Sequence, residues 1–224
     1  MYLQVGKSNG RTPMPKDYIR KGAMSLEKAV VILLTIFVII FYSPATIACS
    51  EYWSGKWSRP DRLTVHIYQS AEPWVQDIST GVLSWNGISN KVAIISIQGG
   101  TDTGVSNEIR IKAEDCGTTQ YIAYCTNYIT ILGVPVPSHI GTWAYSVVIL
   151  NVKEGFASGY DRIGPTFKKK VAAHELGHSF GLDHVLDSCP DALKALMFKY
   201  YDAAVGWYAP QLHDKNVLKA KYGN

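Results

Sequence analysis

The stretch His174-Glu-Leu-Gly-His-Ser-Phe-Gly-Leu-Asp-His184 constrains this chain more than any other. It reads H-E-x-x-H-x-x-G-x-x-H without interruption. His174 and His178 are four apart, so on a helix they sit one turn apart on the same face. Two imidazoles so placed can share one tetrahedral zinc ion. Glu175 stands beside the first ligand, rotated off the metal axis. It can reach a zinc-bound water without being a ligand, which is the position of a general base. Gly181 can take a positive φ, stop the helix and turn the chain back, bringing His184 to the same metal. Three protein ligands leave a fourth position for water, the arrangement of a catalytic rather than a structural zinc. The spacing predicts that the metal lowers the pKa of that water and that Glu175 takes its proton as it attacks a carbonyl. The plainer explanation, a helix with surface or core histidines and no metal, has to account for five fixed positions at once.

The 224 residues suffice for one domain with a real core, and 47% hydrophobic with 12% aromatic residues fits a folded chain. The net charge of +4 is local: residues 1–28 carry six basic and two acidic side chains, and the remainder is balanced at 16 of each. A basic leader on a neutral body gives no reason to expect nucleic acid as a partner. Ala29 to Tyr42 is an almost unbroken apolar run, followed by Ser-Pro-Ala-Thr-Ile-Ala48-Cys49. Basic flank, apolar run and small residues form the pattern of a secretory signal, with cleavage expected after Ala48. Met24 would be a more ordinary start than Met1. The alternative is an uncleaved anchor over 29–48, long enough to span, with the body facing out. Both readings put the body, 49–224, outside the cytoplasm. Four cysteines suit that compartment. Cys116 and Cys125, close in sequence with Gly117 between them, are expected to bridge locally, and Cys49 and Cys189 to form a second pair; buried thiols are the alternative.

Along the body, Glu51–Asp61 is a polar entry segment carrying Trp53 and Trp57. Leu63–Tyr68 alternates and predicts a strand. Trp74, Val75, Ile78, Val82 and Trp85 recur at helical spacing, so 71–89 is expected to be an amphipathic helix despite Gly81. Further strands are expected at Lys91–Ile97, Glu108–Lys112 and Tyr145–Asn151. Between them lie an edge strand near Tyr121–Tyr128 and a loop through Pro135 and Pro137. The motif helix is expected from Phe167 to about Phe180 with Thr166 as N-cap. Val171, Ala172 and Ala173 allow it close packing on a sheet, and Lys168–Lys170 read as its solvated start. His66, His139 and His213 show no partner pattern. This order of elements is an α+β plan.

The stretch 174–184 resembles the metzincin motif, and within that clan the matrixin (matrix metalloproteinase) branch. Ala195-Leu196-Met197 resembles the Met-turn, whose methionine lies beneath the zinc. Gln211 to Gly223, ending Tyr222-Gly223, resembles the last matrixin helix, and Leu63–Trp85 resembles the first strand and long helix. The resemblance implies a twisted, mostly parallel sheet with an antiparallel edge strand, two long helices, a Met-turn and a C-terminal helix. It implies one catalytic Zn2+, a polypeptide substrate laid along the edge strand, and structural roles for Gly181 and Met197. An S1′ pocket after the Met-turn would have Tyr200, Tyr201 and Trp207 as walls. The chain also departs from the pattern. It lacks the cysteine-switch stretch. Phe198-Lys199 follows Met197 where Tyr-Pro is usual, and the Asp/Gly-rich calcium loops are not visible, which leaves a Ca2+ requirement open. The expected function is an exported zinc endopeptidase. Its rivals are a non-catalytic zinc-binding or adhesion module on the same fold, which would not need Glu175, and a zinc hydrolase of a non-protein amide. Substrate preference and oligomeric state are not written in the sequence.

Overall fold

The computed structural model describes residues 51–100, 106–117, 121–154, 159–189, 192–199 and 207–224. The expected leader, the apolar run 29–48, Cys49, Tyr200 and Tyr201 lie outside them. Among the described residues no helix is long and apolar enough to cross a membrane.

The chain runs β1 (Lys56–Trp57), β2 (Leu63–Ile67), α1 (Val75–Leu83), β3 (Ile94–Gly99), β4 (Glu108–Glu114), β5 (Ala123–Ile131), β6 (Val134–Pro137), β7 (Thr142–Trp143), β8 (Tyr145–Asn151), α2 (Pro165–Ser179) and α3 (Leu212–Tyr222). Six strands form one sheet in the order β3-β2-β4-β8-β5-β6, while β1 pairs with β7 separately. Strands β3, β2, β4 and β8 are parallel, and β5 and β6 are antiparallel at one side. The expected α+β plan with a mostly parallel sheet and an antiparallel border is therefore present.

The strand alternation works as read. Leu63, Val65 and Ile67 share one face with Ile109, Ile111 and Ala113, and register continues that row through Ser146, Val148 and Leu150 to Asn127, Cys125 and Ala123. This face is buried apart from the half-buried Cys125, and α2 packs on its Cys125–Asn127 end, where the small and polar residues lie.

Several expectations need correction. The first helix is shorter than 71–89: residues 69–74 form a 3-10 turn containing Pro73, and the α-helix starts only at Val75. Proline lacks the N–H needed to extend an α-helix back through that turn. Gly81 is the point of contact between α1 and α2, since a Cβ there would lie 2.3 Å from the Lys169 carbonyl oxygen. Helix α2 begins at Pro165 with Gly164 in the N-cap position, so Thr166 is not the cap. Proline presets φ for the first helical residue. Lys170 is not solvated: it is 5% exposed, with its ammonium 4.7 Å over the Trp207 ring.

The stretch expected as a loop through Pro135 and Pro137 is strand β6, which pairs outside β5. Asn151 N and Ala144 N donate to Ile122 O and Tyr128 O on the β8 side, so even-numbered backbone groups of β5 face β8. Its odd residues face β6, and Ile129 and Ile131 pair with Val136 and Val134. Pro135 and Pro137 thus occupy the alternate positions, whose nitrogens point away from β5. A strand tolerates proline there.

The expected Cys116–Cys125 bridge is absent, and both thiols are free. Cys125 points to the helix face, with Sγ 3.2 Å from both Ser146 Oγ and Ser179 Oγ. Cys116 interacts with Tyr124, which points to the opposite face of the sheet. The two sulfurs are separated by the sheet itself. Cys189 is disulfide-bonded, and the expected partner, Cys49, lies outside the described residues.

Candidate metal centre

Helix α2 carries the first two histidines, and its end is set by a left-handed glycine. Gly181 has φ +79°. Its N–H bonds to His178 O at 2.8 Å, and Leu182 N bonds to Gly177 O at 3.0 Å, the paired closure of a Schellman turn. Any side chain at 181 would also collide with Trp143, 2.3 Å from the position of a Cβ. Asn127 Nδ2 also donates to the carbonyl of His178 at 2.9 Å. The chain then doubles back as the motif predicts, and His184 meets the helix pair.

Nε2 of His184 lies 3.2 Å from Nε2 of His174 and 3.2 Å from Nε2 of His178. Tetrahedral zinc with Zn–N distances near 2.0–2.1 Å places its nitrogens about 3.3 Å apart. His174 Nδ1 is 2.8 Å from Leu196 O and His178 Nδ1 is 2.8 Å from Leu182 O. A carbonyl only accepts, so both Nδ1 atoms carry the proton, and both Nε2 atoms present lone pairs to a common point. An N–H on His184 Nε2 would satisfy one of these lone pairs at most, whereas a cation between the three rings satisfies all of them. The donor set therefore fits zinc. Burial, then the neighbouring imidazoles, holds His174 well below the usual histidine range. Burial and His184 bring His178 down to about 4, and burial lowers His184. All three stay neutral at physiological pH, as ligands must.

His174 and His178 are buried and His184 is exposed, so the group opens to solvent on the His184 side. Glu175 is 2% exposed and follows His174 by one residue, about 100° further round the helix.

Met197 is buried, and its sulfur lies where a side chain at Gly177 would go, 2.2 Å from the position of a Cβ. Its backbone joins the histidine loop through Val185 N→Met197 O at 3.0 Å. What holds this turn was missed in the sequence: Asp214. Its buried carboxylate accepts from Leu196 N (2.8 Å), Met197 N (3.0 Å) and Gln211 N (2.7 Å). Asp214 thereby links α3 to Leu196, whose carbonyl orients His174. The signal was the Gln211-x-x-Asp214 spacing, which forms a capping box. Also missed was Trp53, whose ring lies parallel to that of His178.

The other histidines stay out of the group. His66 is buried with Nε2 3.9 Å from Glu108 Oε2, His213 lies 3.9 Å from Glu51 Oε2, and His139 stacks on Trp53. Trp207 lies under Lys170, one turn ahead of His174.

Comparison with known proteins gives two findings. The model of the reprolysin-like metallo-peptidase family M12B matches residues 92–185, a little under half of the chain. A solved structure titled "Structure of myroilysin" is similar at 14% identity and a TM-score of 0.43, over 75% of this chain and 96% of that one. No curated protein sequence matches. The family that matches is thus the reprolysin-like metallo-peptidases, and the matched segment contains all three histidines and Glu175.

Proposed function

We propose that this chain is a zinc-dependent endopeptidase that hydrolyses polypeptides outside the cytoplasm. The observation that carries the proposal is the convergence of three imidazoles, with His184 Nε2 3.2 Å from Nε2 of both His174 and His178, next to the buried Glu175. The match of 92–185 to a metallo-peptidase family supports it. His174, His178 and His184 would hold the metal. Zinc bound there supplies Lewis acidity, polarising a carbonyl and lowering the pKa of water beside it. Glu175 takes the proton from water as its oxygen adds to the scissile carbonyl carbon. It then returns that proton to the nitrogen as the C–N bond breaks, so the products are a carboxylate and an amine.

Substrate would add to β5 rather than to β6. The outward nitrogens of β6 include those of Pro135 and Pro137, which cannot donate. Strand β6 pairs with β5 only over Tyr128–Ile131, so the outward backbone groups of Ala123 and Cys125 lie beyond its reach. This stretch runs directly against the end of α2. An extended peptide laid there as an added strand would pass the metal group. Tyr200, Tyr201 and Trp207 are the proposed S1′ walls. A Cys49–Cys189 bridge and export through the leader, by cleavage after Ala48 or anchoring by 29–48, complete the reading. Within metzincins we favour a matrixin-like arrangement on the strength of Leu196-Met197 and the closing Tyr222-Gly223.

The test is digestion of an unfolded protein and a peptide library by the purified chain, with a chelator and after zinc is restored. The expected result is cleavage that the chelator abolishes and zinc restores. Cleavage indifferent to chelator, or none in the zinc-loaded protein, would refute the proposal.

A further inference from the structure

The segment Glu51–Gly55, read from sequence only as a polar entry, lies along the metal loop. Trp53 N donates to Gly181 O at 2.8 Å and Asp183 N donates to Glu51 O at 2.7 Å. These bonds flank an antiparallel bridge between Tyr52 and Leu182. Leu186 N donates to Glu51 Oε1 at 2.8 Å. The far end is fixed from two directions. Gly55 N donates to His139 O at 2.8 Å, and the Lys221 ammonium, from α3, donates to the carbonyls of Trp53 and Gly55. Gly55 has no room for a side chain, because a Cβ would lie 2.6 Å from the Trp143 ring.

So held, the strap delivers one aromatic face to the metal group. The Trp53 ring lies 5.5 Å from the His178 ring at an interplanar angle of 12°. His139 stacks on Trp53 at 4.0 Å and 2°. His174 and His184 meet His178 edge-on, at 84° and 82°, so they do not supply a parallel face. A ligating imidazole must hold its ring plane through the metal, because the lone pair lies in that plane. The bond from His178 Nδ1 to Leu182 O anchors one edge of the ring, and Leu182 is the residue bridged by the strap. The strap therefore sets both the acceptor and the plane of His178.

We propose that Trp53 is a positioning residue of the metal centre, and that the strap Glu51–Gly55 determines how tightly the three histidines hold zinc. The proposal rests on the metal-centre reading of those histidines but not on peptidase activity.

The experiment compares the full chain with Trp53→Ala, Trp53→Leu, Trp53→Phe and Lys221→Met. It measures zinc dissociation constants by competition with a chromophoric chelator, and the Tm of each metal-free protein. A flat face that orients a ligand predicts zinc affinity weakened about 3- to 30-fold in Trp53→Ala and Trp53→Leu. Trp53→Phe, which keeps a flat ring, should recover most of the loss, and Lys221→Met, which releases the strap, should fall between. If Trp53→Ala does not fold, Trp53→Leu and Lys221→Met carry the reading. A Trp53 that only packs would lower the metal-free Tm while the folded variants bind zinc like wild type, and that result overturns the proposal. A wild-type chain that binds no zinc would instead sink the metal-centre reading, and the proposal with it.

Discussion

Gly81→Ala separates local propensity from packing by the sign of its effect. In a helix with an open face, replacing glycine by alanine stabilises by about 0.5–1 kcal/mol, because the unfolded chain loses freedom. Gly81 sits where α1 crosses α2. A Cβ there would stand 2.3 Å from Lys169 O, 3.0 Å from Ala173 N and 3.1 Å from Ala172 Cβ. Two of these are backbone atoms, which no rotamer change can move aside. Helix α2 must shift by roughly 1 Å, and overpacking of this kind costs about 1–3 kcal/mol. Contacts with fixed backbone atoms put the cost in the upper half of that range, about 2–3 kcal/mol, so after the propensity gain is subtracted a net loss of about 1–2.5 kcal/mol is expected, or a Tm drop of about 2–10 °C for a chain of this length. Thermal unfolding of the metal-free proteins reads it without the contribution of bound ion. Zinc affinity should fall as well, since the shifted backbone leads directly into His174. An unchanged or raised Tm would refute the close crossing and the argument that Gly81 is there for contact.

Three further outcomes follow from individual residues. Asp214→Asn replaces an acceptor of three N–H groups with a side chain that turns an NH2 toward one of them; we expect a loss of about 1–3 kcal/mol by denaturant titration and weaker zinc binding, and unchanged stability would remove Asp214 from its role under Met197. Burial pushes the Cys125 thiol up to about 12, so an alkylating reagent on native protein should reach Cys116 first and Cys125 only after unfolding; equal rates at both would contradict the placement of Cys125 under α2. Burial brings Lys221 down to about 8 from an ordinary 10.5. Between those values the unfolded chain binds more protons, so the Lys221 contribution to stability rises with pH across that window. Denaturant midpoints near pH 7 and pH 10 should therefore climb in wild type relative to Lys221→Met, and parallel pH profiles would refute it.

What could be read from the sequence is what local spacing encodes. The histidine pair, the stop at Gly181 and the return of His184 all lie within eleven residues, so one helical turn and one glycine turn bring them together. Strands β2 and β4 were visible because alternation survives when one face is buried, and β8 because Tyr145–Asn151 is a mostly apolar run, as a strand buried on both faces is. Other features depend on partners far along the chain. Trp53 reads as an aromatic in a polar stretch, and its meaning lies in His178. Gly81 reads as a weakness in a helix until α2 is laid across it. Pro135 and Pro137 argue against a strand until their shared parity is set against an edge. Cys116 and Cys125 are near neighbours in sequence, yet a β-sheet divides them because Cys125 takes the opposite face from Tyr124.

The most direct test of the account is Glu175→Ala in the zinc-loaded chain, read by metal content and peptide cleavage on the same sample. The account predicts that the variant keeps one zinc per chain, because Glu175 is not a ligand. It also predicts that cleavage falls by about 10²–10⁴-fold, the usual contribution of a general base. A zinc-loaded Glu175→Ala protein that cleaves peptide at the wild-type rate would contradict it.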